Sequence, residues 1–309
     1  MFGTIRFSLS ILVALSHLGI TLYGYNIGVA SVVVFYLLAG MVSQNLISTH
    51  YKNQPLNYYK NRLKRIFPLY LLTLIFAYAI YQAGATSYFI SDQPTTLSYI
   101  SNLTIIPLSY YMFTSIDHFT LIPPVWSLGV ELQFYLLAPF LLLKPTRLTI
   151  SLLISLTIYI LATTGILPTD HYGYRLILGV LFIFLLGALL HSHKNTPLLL
   201  TTYTLLVATA IYTYTTNYKA PFNHETLVAL LIAIPTLKML KVINPTPIPK
   251  PLDHYLGSLS YAIFLLHFPV LWLLTLTTQV QNLTLWVMFT TITLSIIFTQ
   301  IEKKLSLFN

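Results

Sequence analysis

The feature that most constrains this chain is a succession of apolar segments, each about long enough to cross a lipid bilayer. Apolar residues make up 56% of the 309 residues and charged residues only 7%, whereas a soluble domain has about 25% charged residues. The sequence therefore predicts an all-α polytopic membrane bundle of about ten transmembrane helices. The predicted spans are 5–24, 27–48, 66–86, 121–143, 147–167, 173–191, 197–216, 225–243, 255–277 and 283–301.

The basic residues give this bundle an orientation. If the amino terminus lies in the cytoplasm, 14 of the 16 lysines and arginines fall on the cytoplasmic side, and only Arg175 and Lys219 fall outside. Because cytoplasmic loops carry an excess of Lys and Arg, this bias predicts that both termini are cytoplasmic. The cytoplasmic set is Arg6, Lys52, Lys60, Arg62, Lys64, Arg65, Lys144, Arg147, Lys194, Lys238, Lys241, Lys250, Lys303 and Lys304.

No linker divides the chain, so residues 1–309 are expected to form a single integral-membrane domain without a separate soluble domain. The longest outer loop, 85–120, contains the apolar run 99–113, which predicts an interfacial or re-entrant helix. A signal peptide is the disfavoured alternative for the first segment, since its basic region is a single arginine.

The first segment carries a pair of residues in helical register. Arg6 and His17 are eleven positions apart, which is close to three helical turns, so both side chains leave one face about 16 Å apart along the axis. The spacing places a cation at one membrane surface and an imidazole near the middle of the bilayer. Such a pair is suited to holding a long ligand, although an arginine at a helix end is also ordinary snorkelling.

Three ionisable residues converge on the membrane midplane. His17 and His267 lie roughly 18 Å into their predicted spans and Glu131 about 15 Å, at 1.5 Å per residue. Ionisable side chains in lipid are costly and indicate function. A histidine beside a glutamate makes a base with an orienting carboxylate. The alternative for either histidine is a packing residue that hydrogen-bonds a neighbouring helix.

Two further patterns are candidates for binding. Arg62 and Arg65 share a helix face at the entry to the third span and suit bidentate phosphate contacts, although the positive-inside bias alone also explains them. Ser127, Glu131 and Tyr135 recur every fourth residue and form a polar stripe on the fourth predicted span. A stripe of this kind faces a cavity or a polar neighbour.

The chain contains no cysteine. This excludes disulfides, thiolate metal sites and a cysteinyl acyl intermediate, and we expect no metal cofactor. The net charge of +9 is accounted for by membrane orientation, so no nucleic-acid partner is expected.

Five blocks resemble the integral-membrane acyltransferase 3 family, which includes bacterial O-acetylases of envelope glycans. They are Arg6 with His17, VVVFYLLAG in the second span, RLKRIFPLY, WSLGVELQFYLL, and LGSLSYAIFLLHFPVL around His267. Two positions depart from the family pattern. Ala39 replaces a common serine, and Leu132 stands where many relatives have a second glutamate.

The resemblance implies transfer of an acyl group, usually acetyl, from cytoplasmic acetyl-CoA (acyl-CoA) to a hydroxyl of a carbohydrate or lipid-linked glycan, in the bacterial cytoplasmic (inner) membrane. By motif position, His17 corresponds to the essential histidine of the family. The remaining expected sites are Glu131 for catalysis, Arg6, Arg62 and Arg65 for the CoA donor, and Trp126, Ser127, Tyr135, Tyr261 and His267 for the acceptor.

Two mechanisms and two other functions stay open at this stage. His17 acts either as a general base or as a nucleophile that forms an acetyl-histidine. The alternative function is a transporter or flippase for a lipid-linked or small polar solute, which the absence of a visible internal repeat disfavours. A degenerate partner subunit is the third possibility.

Overall fold

The computed structural model describes residues 2–192, 196–243, 248–277 and 281–306. Throughout these ranges the regular structure is helical, with isolated β-bridges and no strand. The α-helices are α1 (Phe2–His17), α2 (Ile27–Thr49), α3 (Pro55–Gln82), α4 (Thr96–Thr104), α5 (Tyr111–Thr114), α6 (Trp126–Leu142), α7 (Pro145–Thr163), α8 (Ile177–Ser192), α9 (Thr196–Thr215), α10 (Asn223–Ile243), α11 (Lys250–Thr277) and α12 (Leu283–Ser306). Lys194, one of the predicted cytoplasmic residues, lies outside the described ranges.

Nine helices in the described part of the chain are long and apolar enough to cross a membrane, and α1 is a shorter apolar helix of 16 residues. The predicted all-α polytopic membrane bundle is thereby confirmed. Each of the ten predicted segments overlaps one of these helices. The first helix ends earlier than predicted, and α3 begins eleven residues before its predicted start at 66.

The first helix ends at His17 because Gly19 closes it. Gly19 has a φ of +86°, and the N–H groups of Gly19 and Ile20 donate to the carbonyls of Ser16 and Leu15, each at 3.1 Å. This pair of bonds is a Schellman motif, which favours glycine at the left-handed position. The predicted continuation to residue 24 is therefore wrong, and His17 is the last residue of α1, not a mid-helix residue.

The chain forms two compact units. The first unit comprises the described residues of 1–20, 63–129 and 246–309. It contains α1, most of α3, the outer segment with α4 and α5, α11 and α12.

Within the first unit, α1 and α11 run parallel and almost touch. A Cβ on Gly3 would lie 1.8 Å from the carbonyl oxygen of Asp253, and one on Gly257 would lie 3.0 Å from the Cα of Gly3. The carboxylate of Asp253 accepts hydrogen bonds from the N–H of Gly3 (3.2 Å) and from the N–H (2.9 Å) and hydroxyl (2.8 Å) of Thr4. Asp253 therefore caps the start of a helix that lies about 250 residues away in sequence.

The outer segment of the first unit is ordered around a buried asparagine. The side-chain amide of Asn102 donates to the carbonyls of Ser98 and Phe119, both at 2.9 Å, and its oxygen accepts from the N–H of Leu121 at 2.9 Å. The apolar run 99–113 is helical, as predicted, but it is divided among α4, a 3₁₀ turn (Ile106–Tyr110) and α5.

The second unit comprises the described residues of 21–62 and 130–245. Its centre is the contact between α2 and α8. A Cβ on Gly40 would lie 1.8 Å from the carbonyl oxygen of Phe184, and one on Gly187 would lie 2.0 Å from that of Leu37. The rings of Tyr36 and Phe184 stack beside this contact with centroids 4.5 Å apart.

Candidate functional site

Two histidines meet in the first unit. Nδ1 of His17 lies 2.9 Å from Nε2 of His267, and the two rings are nearly parallel, at 5° with centroids 5.1 Å apart. The side chain of His267 is buried, with 2% of its surface exposed. The Phe268 ring packs on His17, with centroids 5.0 Å apart. One member of this hydrogen-bonded pair, His267, is therefore buried, whereas His17 is exposed at the end of α1.

The parallel course of α1 and α11 brings the histidines together. Gly3 meets Asp253 at the start of both helices, and fourteen residues later on each helix His17 meets His267. The predicted common level of these two histidines is therefore observed.

A second level of contacts on α11 involves two of the predicted donor-binding arginines, Arg6 of α1 through its backbone and Arg65 of α3 through its side chain. The hydroxyl of Ser260 donates to the carbonyl of Arg6 at 2.8 Å. The guanidinium of Arg65 lies 5.8 Å from the ring centroid of Tyr261, whose hydroxyl donates to the carbonyl of Ile66 at 3.1 Å. Arg6 and Arg65 thus contact consecutive residues of α11.

The two levels are separated by a distance suited to an extended ligand. On α11, His267 lies seven positions after Ser260, or about 10 Å of helix rise. On α1, His17 lies eleven positions after Arg6, or about 16 Å along the axis. Arg6 and the imidazole pair therefore lie on the same two helices, and Arg65 of α3 lies beside Tyr261 of α11.

The second unit contains the third arginine and the predicted glutamate. The guanidinium of Arg62 lies 5.5 Å from the ring centroid of Tyr135 and donates to the side-chain oxygen of Asn61, from Nε at 3.1 Å. The hydroxyl of Tyr135 donates to the carboxylate of Glu131. Two residues of the predicted polar stripe, Glu131 and Tyr135, are therefore hydrogen-bonded to each other, and Arg62 packs on Tyr135.

Ser127, the first residue of the predicted polar stripe, makes its hydrogen bond at the start of α6. The buried hydroxyl of Ser127 donates to the carbonyl of Pro124 at 3.0 Å, in the turn before the helix. Trp126 is half-buried at the same helix end. The predicted partnership of Glu131 with His17 stays a prediction, and the imidazole of His17 meets His267 within the first unit.

The outer segment also reaches the histidine pair. Phe89 packs on Phe268 with ring centroids 5.5 Å apart, and the N–H of Thr120 donates to the carbonyl of Phe89 at 2.7 Å. Nearby, the exposed hydroxyl of Tyr88 donates to Asp117 at 2.8 Å, and this bond raises the pKa of the Tyr88 phenol. The outer loop therefore covers the aromatic side of the site.

Sequence reasoning missed Asp253, Thr4 and Ser260, which hold α1 against α11. The signal for Asp253 was an acid in the first turn of an apolar helix, but the predicted span began two residues later, at 255. No sequence pattern singled out the hydroxyls of Thr4 and Ser260.

The fold and this site define an integral membrane protein built from helices. Its histidine pair joins the buried His267 to the exposed His17, and contacts of Arg6 and Arg65 with α11 lie about two turns before His267. Residues 2–300 match a family model described as an acyltransferase domain. The chain belongs to this acyltransferase 3 family, and its class is that of the membrane O-acyltransferases.

Three relatives illustrate the match. The chain is 37% identical over 170 residues to an uncharacterized protein of Aquifex aeolicus, covering 52% of this chain and 76% of that protein. It is 30% identical over 146 residues to the O-acetyltransferase OatA of Staphylococcus aureus, covering 42% and 23% of the two chains. It is 24% identical over 296 residues to the peptidoglycan O-acetyltransferase OatA of Listeria monocytogenes, covering 83% and 46%.

The alignments thus span less than half the length of the two O-acetyltransferases. No solved structure matches this chain.

Proposed function

We propose that this protein transfers an acyl group, acetyl in the first instance, from cytoplasmic acyl-CoA to a hydroxyl of an envelope or exported carbohydrate. The observation that carries the proposal is the His17–His267 pair on two parallel helices that bear Arg6 and Arg65 contacts two to three turns away. The family match and the printed names of the O-acetyltransferase relatives support the reaction class.

The CoA donor is recognised through its charged phosphates and through the length of its pantetheine arm. Arg6 and Arg65 contact the CoA phosphates, since guanidinium groups suit phosphate better than ammonium groups do. Arg62, one turn earlier on α3, is the third phosphate contact. The pantetheine arm then follows α1, and the thioester carbonyl comes to rest beside His17.

The chemistry is general-base transfer. His17 takes the proton of the acceptor hydroxyl while the oxygen attacks the thioester carbonyl, and the collapse of the tetrahedral adduct expels the CoA thiolate. The thiolate then takes the proton from His17. General bases contribute about 10²–10⁴ to rate. The roles predicted for Glu131, Trp126, Ser127, Tyr135 and Tyr261 toward the acceptor rest on the family motifs that contain them.

Helix direction supports the placement of both termini on one side of the membrane, and the charge bias supports that side being the cytoplasm. Parallel α1 and α11 require an odd number of crossings between them, and seven helices (α2, α3 and α6–α10) intervene. The cationic end of Lys303 lies 5.7 Å from the ring centroid of Tyr255 near the start of α11, as expected for an antiparallel α12. These features fit a protein of the bacterial inner membrane.

The test uses inverted membrane vesicles from cells that express the full chain, supplied with acetyl-CoA labelled in the acetyl group. We expect label in alkali-labile esters of the envelope glycan fraction, and a loss of about 10²–10⁴-fold in the His17→Ala variant, with binding of acetyl-CoA retained. The exposed His254 provides the matched control, because His254→Ala removes an imidazole from α11 without touching the pair.

Two outcomes would contradict the proposal. Full transfer by His17→Ala would remove His17 from the reaction. Uptake of a solute without formation of an ester would favour the transporter alternative.

A further inference from the structure

A general base needs its lone pair on the nitrogen that faces the substrate. An imidazole has two neutral tautomers, and the hydrogen bond made by one nitrogen decides which nitrogen is basic. We propose that His267 is the positioning residue that fixes His17 in the tautomer with the proton on Nδ1 and the lone pair on Nε2. This inference rests on the proposed function, in which His17 is the base.

The argument starts from the backbone of α11. Nδ1 of His267 lies 3.1 Å from the carbonyl oxygen of Ile263, one turn earlier. A carbonyl oxygen can only accept a hydrogen bond, so Nδ1 of His267 is the donor and carries a proton. The helix itself thereby sets the tautomer of His267.

The second nitrogen of His267 then has to be an acceptor. Its side chain is 2% exposed and packs against the rings of Phe264 and Phe268. Burying an imidazolium in such surroundings costs several kcal/mol, which keeps the ring neutral. In a neutral ring with Nδ1 protonated, Nε2 bears the lone pair.

The lone pair on His267 determines the proton position on His17. Nε2 of His267 lies 2.9 Å from Nδ1 of His17, so Nδ1 of His17 is the donor. The proton is on Nδ1, and the basic nitrogen of His17 is Nε2. The chain of bonds therefore runs from the Ile263 carbonyl through two imidazoles to a single basic atom.

The same chain of hydrogen bonds stabilises the imidazolium that His17 becomes during the transfer. When Nε2 of His17 takes the hydroxyl proton, one O–H bond breaks and one N–H bond forms, while the C–O bond to the acyl carbon forms. The bond from Nδ1 of His17 to His267 then has a cationic donor and becomes stronger. The C–S bond breaks next, and the thiolate takes the proton from Nε2, which returns the pair to its neutral state. A neutral partner performs this task without placing a resting charge in the membrane.

The test combines an imidazole spectrum with kinetics. Full-length protein labelled with ¹⁵N-histidine is reconstituted in lipid, and His17 resonances are assigned by their loss in His17→Ala. We expect His17 to be protonated at Nδ1 in the native protein and to lose this preference in His267→Phe, which retains an aromatic ring but has no acceptor. Protonation of His17 at Nε2 in the native protein, or an unchanged tautomer in His267→Phe, would overturn the inference.

Kinetics with labelled acetyl-CoA in vesicles provide the second measurement. We expect His267→Phe to lower kcat by about 10²-fold with an unchanged KM for acetyl-CoA. His267→Gln should recover much of the loss because its side-chain oxygen accepts a hydrogen bond. The control Phe264→Leu alters packing beside His267 and should keep kcat and the tautomer. Equal losses in the Phe and Gln variants would leave His267 with a packing role only.

The two proposals fail separately. If native vesicles form no acyl ester, the proposed function fails whatever the spectrum shows. If they form it and the tautomer does not depend on His267, only the positioning role fails.

Discussion

In the described part of each unit, glycines bring one pair of long helices to backbone contact, α1 with α11 and α2 with α8, and these two pairs are built differently. In both, glycine permits the approach, since a Cβ would lie 1.8 Å from a carbonyl oxygen at Gly3 and at Gly40. The α1–α11 contact is lined with hydrogen bonds, from Asp253 at one end to the histidine pair at the other. The α2–α8 contact is lined with aromatic rings.

The contrast between a hydrogen-bonded and an aromatic contact shows that close helix packing in a membrane can serve two purposes. Small residues allow close dispersion contacts between helices, and these contacts hold a pair together in lipid. Directional hydrogen bonds specify the register as well. The α1–α11 contact therefore keeps two imidazoles at hydrogen-bonding distance, whereas the α2–α8 contact supplies stability.

The largest effects should come from filling the glycine positions. Gly3→Ala and Gly40→Ala each force a backbone shift, and overpacking costs about 1–3 kcal/mol. We expect lower melting temperatures for both, measured by fluorescence-detected unfolding in detergent. Gly40→Ala should lose activity only in proportion to folded protein, while Gly3→Ala should also lose specific activity. Equal specific activities would show that the α1–α11 register does not control the site.

The arginines should produce the next largest effect. Arg65→Ala should raise the KM for acetyl-CoA by about tenfold, since hydrogen bonds to charged groups contribute about 1.5–3 kcal/mol, with kcat nearly unchanged. Arg62→Ala tests the corresponding arginine–tyrosine pair of the second unit. The exposed Lys64 is the matched control, and Lys64→Ala should leave this KM unchanged. An unchanged KM in Arg65→Ala would favour a role in membrane orientation.

A smaller effect is expected at the cap of α1. Asp253→Ala removes the acceptor for two N–H groups and one hydroxyl, and loss of a helix cap costs about 0.5–2 kcal/mol. Hydrogen exchange should show faster opening of the first turn of α1. The exposed Asp92 is the control, since Asp92→Ala should leave α1 unaffected. Unchanged exchange at Thr4 would mean that the cap does not hold the helix end.

The smallest effect, and the opposite sign, is expected in the α2–α8 contact. Among the described residues, the hydroxyl of Tyr36 is a buried group without a hydrogen-bond partner, and burying such a group costs free energy. Tyr36→Phe should therefore be neutral or raise the melting temperature by a few degrees at most, with transfer activity retained. A clear loss of stability would indicate a polar role for this contact.

The pattern of apolar segments was enough to predict an all-α membrane bundle, because a backbone in lipid has to satisfy its hydrogen bonds within each helix. The depth of His17 and His267 along their segments correctly predicted their common level. The end of α1 was missed although Gly19 signals it, since a hydrophobicity pattern does not register a left-handed glycine.

What the sequence alone determined is therefore local: helix type, approximate spans, and the depth and chemistry of the ionisable residues along each helix. Only the tertiary structure decided that α11 is the helix beside α1, that His267 is the partner of His17, and that Arg6 and Arg65 meet α11 at neighbouring residues. The reason is physical. Helix formation depends on neighbours three or four residues apart, whereas partner choice depends on backbone approach at Gly3 and on hydrogen bonds between groups about 250 residues apart in sequence.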